Sequence, residues 1–175
     1  RRANYVSNIL AVHAAQDIMQ VLPKACENGQ DLEAREIMAN ASMTAGMAFT
    51  NVSLGIVHSM AHTLGSYFHI AHGLADAVIL PYIIEYNSSE PYAKKIYDEF
   101  AASIGETDLG QAVRKLNQRV GIPACVQELI PDEAKYTEFL DNMAVMAKED
   151  GCTKTNPIIP DEEQFKELFM KVYRG

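Results

Sequence analysis

The stretch Gly55-Ile56-Val57-His58-Ser59-Met60-Ala61-His62-Thr63-Leu64-Gly65-Ser66-Tyr67-Phe68-His69-Ile70-Ala71-His72-Gly73, continued by the apolar run from Leu74 to Tyr86, decides how this chain folds. Its apolar residues recur at helical spacing, and no alternating strand pattern competes. We read one helix over 53–67 and another over 73–86. The second is apolar nearly all round, through Ala75, Ala77, Val78, Ile79, Leu80, Ile83 and Ile84, which places it at the centre of the domain. Pro81 within it lacks an amide donor and predicts a kink or a split. In the first helix the small residues Gly55, Ser59, Ala61 and Gly65 leave room for another backbone or a ligand to approach closely.

The same periodicity extends in both directions. Upstream, a helix over 4–22 turns Val6, Ile9, Leu10, Ile18 and Val21 inward and stops near Pro23 and the Asn28-Gly29 turn. The next, over 31–49, starts at a capping Asp31 and carries Ile37, Met38, Ala41, Ala45 and Met47. Its methionines at helical spacing read as core filling. Downstream, more amphipathic helices over 91–104, 108–120, 132–149 and 161–173 form an outer layer. Asp161 with Gln164 three residues on resembles a capping box. No hairpin signal, repeat or linker interrupts the pattern, so the fold class is all-α in a single helical domain.

Composition narrows the function. The chain has 175 residues, 48% of them hydrophobic, enough to bury one substantial core. A formal net charge of -8 and no Lys/Arg-rich run argue against nucleic acid as a partner. No apolar run approaches the length needed to span a bilayer, and nothing at the N-terminus looks like a signal peptide. Cys26, Cys125 and Cys152 form no CxxC and read as free thiols of a cytoplasmic protein. Arg1 opens a segment that already reads as helix, so we expect a longer polypeptide.

Four of the 5 histidines lie in the opening stretch, a density that points to metal binding or proton transfer. His58 and His62 are four apart and share one helix face. Ser59 stands where a zinc protease HExxH helix carries its general base, so that activity is disfavoured. His72, past the helix end, can fold back to add a third vertex. His69 could join it, although Tyr67, Phe68 and Ile70 around it favour packing, and His13 reads as structural or solvent-facing. Asp76, one turn after His72, is either an outer partner fixing a ligand tautomer or a first-turn acid favoured by the helix dipole. The donors so far make an incomplete metal site.

Gly55-x-x-His58-x-x-x-His62-x-x-Gly65, then His72-Gly73, Leu80-Pro81 and Tyr86-Asn87, closely resembles the signature of the iron-dependent (group III) alcohol dehydrogenases. Glu27-Asn28-Gly29-x-Asp31-Leu32-Glu33-Ala34-Arg35 and Cys152-Thr153-x-Thr155-Asn156-Pro157 extend the resemblance across nearly all of the chain, 88–149 being the least diagnostic part. The resemblance implies the all-helical C-terminal domain of that fold, also found in zinc-dependent glycerol dehydrogenases and dehydroquinate synthases. Its partner is an N-terminal NAD- or NADP-binding domain absent from this chain.

It further implies a metal held by one aspartate and three histidines, of which His58 and His72 match the last two. His62 matches a residue near the nicotinamide that helps proton movement. The implied metal is Fe2+, with Zn2+ possible. The implied reaction interconverts primary alcohols and aldehydes, with the isolated fragment inactive and homo-oligomers possible. The upstream Asp-x-x-x-His ligands have no match here, since Ile9 precedes His13 by four. Ala71, Asp76 and Ile158 stand where Pro, Asn and Arg are usual. The competing expectation, from a different class, is a stand-alone helical module for metal binding or association.

Overall fold

In the computed structural model, which describes residues 3–175, the expected all-α architecture is found, with no strand among the described residues. Nine α-helices follow one another among these residues: α1 (Tyr5–Glu27), α2 (Leu32–Val52), α3 (Ile56–Phe68), α4 (His72–Asn87), α5 (Pro91–Ser103), α6 (Leu109–Arg119), α7 (Glu133–Glu138), α8 (Leu140–Glu149) and α9 (Glu162–Arg174). Short 3-10 turns at Val126–Glu128 and Gly151–Thr155 join α6 to α7 and α8 to α9.

Side-chain caps set many of the starts. Asn4 and Ser7 form a capping box on α1, and Asp31, Glu90, Asp108 and Asp132 each accept a backbone amide three residues on. Asp161 and Gln164 cap α9 reciprocally, as their spacing predicted.

The core is built on α3 and α4, with α7, α8 and α9 packed around them. Ile56, Met60 and Leu64 of α3 meet Val78, Ile79, Tyr82 and Ile83 of α4, and Met143, Phe165, Phe169 and Tyr173 close over them. Each such side chain contributes roughly 1.5–3 kcal/mol on burial. Three buried phenols are satisfied, Tyr82 donating to the Ala124 carbonyl, Tyr136 to Phe169 and Tyr173 to Ile130, whereas the buried Tyr86 hydroxyl has no partner. Tyr136 and Tyr173 stack with ring centroids 4.3 Å apart. The central place expected for 73–86 is thus confirmed, and α4 runs unbroken past Pro81.

Three other expectations are corrected. Helix α1 passes through Pro23 to Glu27, because a proline removes one donor but keeps a helical φ. The helix expected over 132–149 is two, α7 and α8. They meet at Phe139, whose ring lies 4.9 Å from Tyr67 and 5.9 Å from Phe68. The third concerns side-chain direction: Val6 and Ile9 are 63% and 51% exposed instead of inward, and Met47 is exposed too. The buried residues of α1 and α2 are Ser7, Ala14, Pro23, Ala34, Ala41 and Ala48, small side chains that let the two backbones approach while bulkier residues flank them.

The turn at 151–160 is pinned against the start of α3. Asn156 accepts the Ile56 amide at 3.2 Å and exchanges amide hydrogen bonds with Asn87 at 2.7 and 3.3 Å. Thr153 donates to Ala147 and Thr155 to Leu54. Gly55 is needed here, since a Cβ would lie 2.7 Å from Asn156 Oδ1.

Candidate metal centre

Helix α3 presents His58 and His62 on one face while Ile56, Met60, Ala61 and Leu64 face the core. It ends at His69, whose φ of 57° is left-handed and reverses the chain, and α4 begins three residues later at His72. That reversal brings the second helix back across the first. The His58, His62 and His72 ring centroids lie 5.1–6.4 Å apart, with the His62 and His72 rings nearly parallel at 14°. His69 is exposed and outside this group, so neither cluster membership nor packing describes it. His13 is exposed on α1, 3.6 Å from Asp17, as a solvent-facing residue.

Two carboxylates enter the cluster. Asp76, one turn along α4, places Oδ2 3.1 Å from His72 Nε2 and 3.6 Å from His58 Nε2. Its Oδ1 is buried without a hydrogen-bond partner. Asp150, between α8 and the turn that follows, places Oδ2 2.8 Å from His62 Nδ1 while its Oδ1 accepts the Cys152 amide at 2.7 Å. An ionised carboxylate can only accept, so His62 donates through Nδ1, and in the neutral ring Nε2 is then the acceptor. Sequence reasoning missed Asp150, 88 residues from His62; the one signal was its place two residues before Cys152-Thr153.

Electrostatics follow from burial. Partial burial pushes the His58 imidazole below its ordinary value, helped by His72 and His62 and opposed by Asp76. Burial raises the Asp76 carboxyl against the pull of the three imidazoles. For Asp150 burial acts upward too, but hydrogen bonds from the Cys152 amide and His62 outweigh it and hold the carboxyl low. Burial and Asp150 push the Cys152 thiol up to about 11, which favours the protonated thiol near neutral pH.

The donor chemistry fits a divalent cation. His58, His72 and Asp76 each offer one donor atom, all within 4.8 Å of one another. Neutral imidazole and carboxylate suit Fe2+ or Zn2+, and the unpartnered Asp76 oxygen is an acceptor that lacks a proton donor. An open depression beside the His62 and His72 rings is lined by Ala61, His62, Gly65, Ser66 and His72.

The described residues thus form an all-helical domain in which two imidazoles and a carboxylate converge beside a third imidazole held by a second carboxylate. Residues 1–173 match the C-terminal domain model of the Fe-containing alcohol dehydrogenase family, and the chain belongs to that family. It is 39% identical over 173 residues to an NADPH-dependent butanol dehydrogenase of Clostridium saccharobutylicum, covering 95% of this chain and 44% of that protein. An aldehyde-alcohol dehydrogenase of Streptococcus pneumoniae is 34% identical, with 95% of this chain and 21% of that protein covered.

Among solved structures, the iron-containing alcohol dehydrogenase of Thermococcus thioreducens superposes with a TM-score of 0.93 at 35% identity, covering 100% of this chain and 46% of that one. A 1,3-propanediol oxidoreductase superposes at 0.91 and 33%, covering 99% of this chain and 47% of that one. The chain thus spans less than half the length of these relatives.

Proposed function

We propose that this chain is the metal-binding half of an NAD(P)-dependent alcohol dehydrogenase that interconverts primary alcohols and aldehydes. The observation that carries the reading is the convergence of His58 Nε2 and His72 Nε2 on one point from two helices, beside a His62 whose tautomer is set by Asp150.

His58 and His72 would together hold one metal ion, Fe2+ or, as the alternative, Zn2+. When bound, such a cation supplies Lewis-acid polarisation of the alcohol oxygen. The chain's own part is then geometric and protonic. The α3–α4 reversal fixes the two imidazoles relative to each other. His62, oriented through Nδ1 by Asp150, presents Nε2 to take the hydroxyl proton and release it to solvent, and its 44% exposed side chain provides the outlet. In this reading the nicotinamide cofactor is held mainly by an N-terminal half outside this sequence, so hydride transfer requires that half.

The reading is tested in two measurements. Divalent-metal titration of this chain gives one site whose affinity falls in His58→Ala and in His72→Ala; unchanged affinity in both variants refutes the ligand assignment. NAD(P)-dependent turnover of ethanol or butanol is absent from the isolated chain. Measurable turnover by it would defeat the half-enzyme reading.

A further inference from the structure

We infer that Asp76 is itself a metal ligand, so that His58, His72 and Asp76 form a two-histidine, one-carboxylate site for a divalent cation. This rests on the metal-binding reading above and adds a donor to it. Position is the first argument. A metal-bound imidazole offers its other ring nitrogen to an outer partner, so a carboxylate serving only to orient the ring lies on the side away from the metal. Asp76 lies on the shared side: the same Oδ2 faces Nε2 of both rings, at 3.6 and 3.1 Å. Donors about 2.1 Å from one ion are about 3.0 Å apart at right angles and about 3.4 Å apart at tetrahedral angles. The two separations from Asp76 Oδ2 lie close to that range, and all three donor atoms fall within 4.8 Å of one another.

The second argument is the other oxygen. Asp76 Oδ1 is buried and accepts no hydrogen bond, although a buried carboxylate kept for capping or packing is expected to be satisfied. A cation at Oδ2 compensates that carboxylate's charge directly. The third is connectivity: Asp76 follows His72 by one turn on α4, so both project from one face toward His58 on α3. Two imidazoles and a carboxylate leave coordination positions open for a substrate oxygen.

The test uses Co2+ as the probe on the 175-residue chain, followed by calorimetry and by absorption, with circular dichroism to check that each variant is folded. Asp76→Asn keeps the side-chain size and removes the charge. We expect it to weaken binding by more than the roughly 100-fold that marks the upper end for loss of an outer partner. Asp76→Cys is the second variant: a thiolate-to-cobalt charge-transfer band, above the background of the three native cysteines, appears only if residue 76 bonds the ion. His13→Ala controls for binding at exposed imidazoles and leaves the affinity unchanged.

A smaller loss in Asp76→Asn together with no thiolate band in Asp76→Cys overturns the role of Asp76. If His58→Ala and His72→Ala still weaken binding in that case, the broader metal reading stands. If wild-type chain binds no Co2+, or none of the variants alters its binding, both fall.

Discussion

The α1–α2 and α3–α4 pairs are each two consecutive helices joined by a short turn, yet they spend their apolar residues in opposite ways. The α3–α4 pair buries Ile56, Met60, Leu64, Val78, Ile79 and Tyr82. The α1–α2 pair buries alanines and leaves Val6, Ile9, Leu32, Met43, Met47 and Phe49 exposed. Cover explains the contrast: α8 and α9 pack on α3 and α4, whereas α1 and α2 pack chiefly on each other. Polar links tie the first pair to its surroundings, from Arg119 to Glu27 and from Gln16 to Ser103. The pair that carries His58, His62 and His72 is thereby the better covered one, with large side chains packed beneath the cluster.

The largest expected effect breaks the covered pair's support. Phe169→Ala, at a fully buried position, costs about 3–5 kcal/mol in urea unfolding, while Met47→Ala on the uncovered pair stays within about 0.5 kcal/mol. Equal losses would erase the distinction. Next comes Asn156→Ala, which leaves the Asn87 amide and the Ile56 N–H without their partner and costs about 1–3 kcal/mol. A melting temperature within error of wild type would show that the 151–160 turn does not hold α3.

A smaller effect is electrostatic. Burial keeps the folded His58 below its ordinary value of 6.5, so the unfolded chain protonates first as pH falls. The metal-free chain therefore has its full stability above pH 6.5 and loses some as pH drops through the folded value. His58→Ala flattens that decline; an identical pH profile in wild type and variant would contradict it. The smallest lies at the joint between the two pairs, where Ser53 adopts a φ of 72° that suits glycine. Ser53→Gly gains up to about 1 kcal/mol, and a measured loss would mean that the Ser53 side chain does more than tolerate its conformation.

What the sequence displayed was local. The apolar ring around 73–86 located the central helix, and spacing of four put His58 and His62 on one face. A pattern of apolar residues identifies a helix's sticky side but not what covers it, which is why Val6 and Ile9 were expected inward. Asp150 was invisible for a similar reason: it sits in the charged run Lys148-Glu149-Asp150, where nothing local links it to His62. Asp76 was legible as a neighbour of His72, but its place on the Nε2 side of two rings depends on how far His69 turns the chain.

The reversal at His69 also separates the parts of the centre in time. His58, His72 and Asp76 belong to one helical hairpin, and closing so short a loop takes on the order of 100 ns or less. Asp150, 88 positions along the chain, reaches His62 only after the intervening residues have been arranged. Refolding in the presence of Co2+ should then show cobalt absorption ahead of the near-ultraviolet signal from the packed tyrosines; simultaneous appearance would mean that the hairpin does not form before the rest of the domain.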